Sequence, residues 1–218
     1  MKAFNQTTGI LIPMPQANLD TDRIIPKQYL KTVQRSGLGL YLFDEMRYHD
    51  LGFPGKSLQE RQPRSDFILN TPPFNQGNKG NILVTGDNFG CGSSREHAVW
   101  SLMDFGIEAV IAPSFAEIFF INCSKNGLLT VELTAAEVKQ LMDLAQEHPG
   151  SEAKVTLESQ LVEIPNGNAY KFAIDPQRKK IFAEGLDDIA ITLEDATQIK
   201  DFENKHHQAN PWLKDGIY

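Results

Sequence analysis

A glycine-rich turn between a strand-like run and a helix-like run constrains this chain more than any other segment. Asn81-Ile82-Leu83-Val84-Thr85 is a short apolar run that reads as a buried strand. Over residues 95–105 the apolar side chains of Ala98, Val99, Leu102, Met103 and Phe105 recur at helical spacing. Between them stands Gly86-Asp87-Asn88-Phe89-Gly90-Cys91-Gly92-Ser93-Ser94. Glycine accepts positive φ and lets the backbone approach a ligand closely. A helix start behind it offers unpaired N–H groups and the positive end of the macrodipole. The turn is therefore suited to anionic oxygen. Ser93-Ser94-Arg95-Glu96 also fits the S-x-x-E capping box, with Ser93 at N-cap and Glu96 at N3. The two readings are compatible, but a cap alone does not require the guanidinium of Arg95.

The pattern on either side predicts an α/β chain. Residues 4–12 read as a strand that Pro13 and Pro15 end. Asn18-Leu19-Asp20-Thr21-Asp22-Arg23-Ile24-Ile25-Pro26 is an acidic turn; its D-x-D lacks the glycine and glutamate of an EF-hand loop, which leaves an Asx-type turn. Residues 66–70, 81–85, 95–105 and 108–113 form a strand–helix–strand series. Ser114 is the expected N-cap of a second helix, with Glu117 completing a second capping box and Asn126-Gly127 ending it. A strand over 128–133 follows, and Thr134 opens a third helix running to about His148, broken by Pro149-Gly150. Residues 153–157, 161–164 and 169–174 alternate as antiparallel strands, with Pro165-Asn166-Gly167-Asn168 carrying a hairpin signal. Helices are expected over 175–183 and 193–206. The expectation is one compact unit over 1–218, its mixed sheet parallel in the centre and antiparallel in the C-terminal strands. The uneven stretch 27–64 is a long loop, and such loops are commonly functional. In it Arg35, beside Ser36-Gly37, is placed for an arm that reaches a carboxylate bidentately, although on spacing alone a plain surface arginine is the stronger reading.

Composition removes several function classes. A length of 218 residues suits one sizeable domain. The net charge of -7, with only short basic stretches at 61–64 and 178–180, argues against nucleic acid. No secretory leader and no window of membrane-spanning length is legible, so no membrane role is expected. Cys91 and Cys123 are the only cysteines, too few for a disulfide framework and without C-x-x-C spacing. A reducing cytoplasm is the expected compartment. The histidines lack metal-ligand spacing, and His206-His207 reads as a solvated helix end, so no metal is assigned to the chain.

The stretches 18–26, 86–97 and 113–129, together with Asp66-Phe67-Ile68-Leu69-Asn70 and the segment from Arg35 to Arg47, resemble one family over nearly the whole chain. It is that of the 3-isopropylmalate dehydratase small subunits, in which the swivelling domain of the aconitase superfamily is a separate polypeptide. The resemblance implies a three-layer β/β/α domain and an isomerisation in leucine biosynthesis by dehydration and rehydration. It implies a large-subunit partner carrying a [4Fe-4S] cluster, with no cofactor on this chain. It also makes Ser93 the catalytic base, gives Ser94 and Arg95 the grip on a substrate carboxylate, and places Arg35 in a mobile recognition loop at 27–64. A serine hydroxyl is a poor base, so the N–H groups of Ser94 and Arg95 and the helix end are the expected stabilisers of its alkoxide. Asp20 and Asp22 fall at the site's rim without an assigned role, and Cys91 is given no ligand role. Alternatives are a small subunit for homoaconitate or a methylmalate, and a non-catalytic anion-binding module. A hydrolase using Ser93 and His97 would need a G-x-S-x-G elbow, where the chain has Gly-Cys-Gly-Ser-Ser.

Overall fold

In the computed structural model, residues 1–75, 81–165 and 167–213 are described. The first strand, β1, is Gln6–Met14, and it runs through Pro13 instead of ending there. Its first half pairs antiparallel with β5 (Glu152–Thr156) and its second half parallel with β2 (Asn81–Thr85). The N–H of Leu11 bonds to Ser151 O on the β5 side at 2.9 Å. Position 13 faces the same side two residues on, where β5 has already turned away, so proline sacrifices no ladder bond there.

Between β1 and β2 come the one-turn helices α1 (Thr21–Ile24) and α2 (Asp44–Arg47). Two successive β–α–β units follow: α3 (Glu96–Phe105), β3 (Ile107–Ala112), α4 (Glu117–Asn126) and β4 (Leu129–Glu132). Gly106 and Gly127 end the two helices in the left-handed conformation. Next are α5 (Ala135–Glu147), β5, β6 (Leu161–Glu163), β7 (Ala169–Lys171) and α6 (Pro176–Glu184). Thr134 opens α5 with the expected capping box. The seven strands form one sheet in the order β4-β3-β2-β1-β5-β6-β7. Pairing is parallel from β4 to β1 and antiparallel from β1 to β7, the mixed α/β arrangement expected.

The central strands are buried on both faces, as parallel sheets are. Ile12, Met14, Leu83 and Val110 face α3 and α4, packing with Val99, Leu102 and Phe119. Leu11, Ile82, Val84 and Ile111 face the other way, in a cluster with Val138 and Leu141 of α5 and with Val155 and Val162. Period-two alternation therefore serves two cores at once.

Other expectations need correction. The segment 66–70 is no strand but ends in a 3-10 turn, Ile68–Asn70, whose Asn70 amide donates to Arg47 O at 2.6 Å and Arg64 O at 2.9 Å. Between residues 27 and 64, α2 and short 3-10 turns replace structureless chain. They are pinned by a buried fork: Arg61 Nη1 to Asp44 Oδ1 at 2.5 Å and Nη2 to Asp44 Oδ2 at 3.0 Å. The β6–β7 pair is antiparallel as expected, while Asn166 of its turn lies outside the described residues. By its internal contacts the chain divides into two compact units, Met1–Gly185 and Leu186–Tyr218. In the second, helices α7 (Asp188–Leu193) and α8 (Ala196–Ala209) replace the single helix expected over 193–206. Among the described residues no helix is long and apolar enough to cross a membrane.

Candidate active site

The segments that leave the carboxyl ends of β1, β2 and β3 meet above the sheet, the place where open parallel sheets hold ligands. The glycine turn is stitched to both neighbours. Gly90 N–H donates to Leu19 O at 2.8 Å, and Thr21 N–H to Cys91 O at 2.9 Å. On the other flank Phe89 N–H donates to Ser114 O at 3.2 Å, and Ala116 N–H to Phe89 O at 3.0 Å. Asn88 takes a left-handed φ of 53°, which asparagine tolerates, and its amide donates to Asn18 Oδ1 at 2.8 Å. Gly92 has φ +85°, beyond which Ser93 and Ser94 are exposed and Arg95 is half-buried.

The expected cap at Ser93 is not formed. Helix α3 starts at Glu96 with Arg95 as N-cap in an extended conformation and no side-chain cap. The positive φ at Gly92 turns the chain so that the two serines lie outside the helix. Glu96 instead accepts from Asn126 Nδ2 at 2.7 Å. The Ser114 cap is also absent: α4 has Ala116 as N-cap, again without a side-chain cap. The Ser114 hydroxyl accepts from Asn88 N–H at 2.9 Å and donates to Asp87.

What these two departures leave is a cleft of about 220 Å³. One wall is Gly92, Ser93, Ser94 and Arg95; the other is the start of α4 from Ala116 to Phe119, with Asn122. The uncapped start of α4 thus borders the space with its first N–H groups and its dipole end. Arg95 is the cation on its wall, and its guanidinium is paired with Asp22. The Ser93 carbonyl accepts from the Thr21 hydroxyl at 2.8 Å. The structure therefore gathers Ser93, Ser94 and Arg95 and leaves Arg35 apart. Arg35 lies over the Trp100 ring on α3, 5.2 Å from its centroid. Its arm is tethered by His97 Nε2 to Thr32 O at 2.8 Å. Sequence reasoning misses the parts that Thr21, Trp100 and Asn122 play here, since nothing local marks them.

No group of His, Cys, Asp and Glu able to hold a metal occurs among the described residues. Cys123 is fully buried in α4 and its thiol is pushed well up by burial; burial and then the Asp20 carboxylate push Cys91 up. Iron–sulfur clusters take several thiolates, so the residues of this chain do not fit one.

Residues 1–136, which carry β1 to β4, the two β–α–β units and the glycine–serine turn, match the model of the aconitase C-terminal domain. That defines the class: an aconitase-type α/β domain. The LeuD_N model matches residues 139–176, and the model for the C-terminal domain of 3-isopropylmalate dehydratase small subunits matches 188–216. A 3-isopropylmalate dehydratase small subunit of Magnetococcus marinus is 49% identical over 97% of this chain and 98% of its own. A crystal structure of 3-isopropylmalate dehydratase from Methanocaldococcus jannaschii superposes with a TM-score of 0.62 at 27% identity, covering 90% of this chain and 99% of that one. The chain belongs to the family of 3-isopropylmalate dehydratase small subunits.

Proposed function

We propose that this chain supplies the base and the carboxylate grip of a hydro-lyase that interconverts 2-isopropylmalate and 3-isopropylmalate in cytoplasmic leucine biosynthesis. The observation that carries this is the exposed Ser93 beside Ser94 and Arg95, facing the start of α4 across one cleft. The isomerisation removes a proton from one carbon and hydroxide from its neighbour, leaving an alkene and water, then returns both to exchanged carbons. Ser93 Oγ takes the proton from carbon and gives it back. An alkoxide there is tolerable because backbone N–H groups and a guanidinium are fixed before reaction, in a site that closure with a partner would dry. The Ser94 hydroxyl and the Arg95 fork hold a carboxylate. A guanidinium has five donors, enough to share between substrate and Asp22. Arg35, which stacks on Trp100 here, is carried by the largely exposed arm 31–37 and would leave that ring to contact the part of the substrate remote from the reacting carbons. Departure of hydroxide calls for a Lewis acid, the chemistry that a [4Fe-4S] cluster on a separate large subunit would supply.

Reconstitution with a cluster-bearing large subunit under anaerobic conditions tests this. The chain alone is expected to be inactive and the complex active, with Ser93→Ala lowering kcat by about a thousandfold. Running isopropylmalate, homoaconitate and methylmalate in parallel, with Arg35→Lys beside the wild type, reads the substrate class. Activity of the chain alone, or a fully active Ser93→Ala complex, overturns the proposal.

A further inference from the structure

Three consecutive residues at the start of α1 are tied to the glycine–serine turn, far from them in sequence. Asp20 forms an isolated parallel bridge with Cys91. Thr21 donates twice, from its N–H to Cys91 O at 2.9 Å and from its hydroxyl to Ser93 O at 2.8 Å. Asp22 pairs with Arg95. The α1 turn is itself fixed, because the Asp20 carboxylate accepts from Arg23 N–H at 2.8 Å. Thr21 is only 2% exposed, so water does not readily replace its hydroxyl on the Ser93 carbonyl.

In a trans peptide the C=O and N–H point in opposite directions. Holding the Ser93 carbonyl toward Thr21 therefore holds the Ser94 N–H away from α1. It also fixes ψ of Ser93, and with it the place its side chain occupies beside the cleft. The Ser94 N–H is one of the donors assigned above to the Ser93 alkoxide. We infer that Thr21 is a positioning residue of the reaction, acting on Ser93 through the Ser93–Ser94 peptide, with Asp20 and Asp22 seating the turn that carries it. This rests on the reading of Ser93 as the base.

The test is a pair of substitutions in the reconstituted complex. Thr21→Val keeps the shape and removes the donor; Thr21→Ser keeps the donor. Thr21→Val is expected to lower kcat by about ten- to a hundredfold with KM within about twofold, since misplacement by about 1 Å costs up to that much. Thr21→Ser is expected to stay within about threefold of wild type. A purely structural role would lower the amount of folded complex and leave kcat per active complex unchanged, which overturns the inference. So does Thr21→Val at the wild-type rate, or a Thr21→Ser as slow as Thr21→Val. If Thr21→Val does not fold, Thr21→Cys, with a weak thiol donor, is measured instead. On the free chain, the Ser94 amide 15N resonance is expected to move in Thr21→Cys and to hold in Thr21→Ser; an unmoved resonance in Thr21→Cys overturns the inference. An active Ser93→Ala complex fails the reading beneath. An inactive Ser93→Ala with a fast Thr21→Val fails this inference alone.

Discussion

Gly90 shows how narrowly the turn is built. Its φ is +77°, and a Cβ there would stand 2.2 Å from Cγ of Phe119, a ring only 2% exposed and stacked edge-on against Phe89 at 5.3 Å. Gly90→Ala combines a left-handed alanine with an overpacked aromatic pair, and is expected to cost roughly 2–5 kcal/mol. Urea unfolding of the free chain measures this; an unchanged midpoint would show that the turn adapts. The same residue scale explains what sequence conceals. Ser93 and Ser114 both satisfy the local rule for a capping serine. Neither caps: the positive φ at Gly92 puts Ser93 outside α3, its carbonyl held by Thr21 72 positions away, and the Ser114 hydroxyl is taken by Asp87 and Asn88. Ser93, Ser94 and Arg95 are legible because they are neighbours in one motif. Thr21 and Trp100 are not, because their contacts with Ser93 and Arg35 exist only once β1, β2 and α3 are folded side by side.

Elements with a clear period are the easiest to read, and those held by charge the hardest. The capping box at Thr134 and the glycine ends of α3 and α4 fall where local rules place them. The stretch 27–64 has no period, and its order comes from ions. Arg61 joins Asp44 in a buried pair and reaches Asp50 Oδ2 at 2.9 Å, while Lys56 reaches the same oxygen at 2.5 Å. The Lys56 hydrogen bond, then the Gln62 N–H at 2.6 Å, hold the Asp50 carboxyl well below the usual carboxylate range; partial desolvation opposes them and Arg61 adds to them. The folded state thus binds that proton more weakly than the unfolded state. The resulting stabilisation is present above the ordinary carboxylate value of about 3.9 and is lost as pH falls from there toward the depressed value. Asp50→Asn is expected to flatten the fall in urea midpoint below about pH 4. A mutant curve parallel to the wild type in that range would show that Asp50 does not contribute.

At the scale of the whole molecule, the boundary at Gly185 separates two kinds of chain. Sequence marks Gly185 only as a break between helices, and the difference across it is invisible there because both sides carry apolar residues. Before it, β1, β2 and β3 contribute to both cores and β4 to β7 to the second, to which α6 belongs through Phe182, fully buried and edge-on to Phe4 with ring centroids 6.4 Å apart. Arg178 of the same helix stacks on Phe120, its guanidinium carbon 3.6 Å from the ring centroid, and donates to Ser124 Oγ at 2.6 Å. After it, neither α7 nor α8 has a buried residue, and Ile189, Leu193 and Phe202 are largely exposed. Stability should therefore depend on where the chain is cut. Removing residues 187–218 is expected to shift the unfolding free energy of the sheet unit by about 0.5 kcal/mol or less, since α7 and α8 have no buried residue to lose. Removing 175–218 takes Phe182 and Arg178 as well, and opening that cavity is expected to cost at least about 3–5 kcal/mol. Urea titrations followed by far-UV circular dichroism compare the two. Equal losses from both cuts would overturn the assignment of that burial to α6.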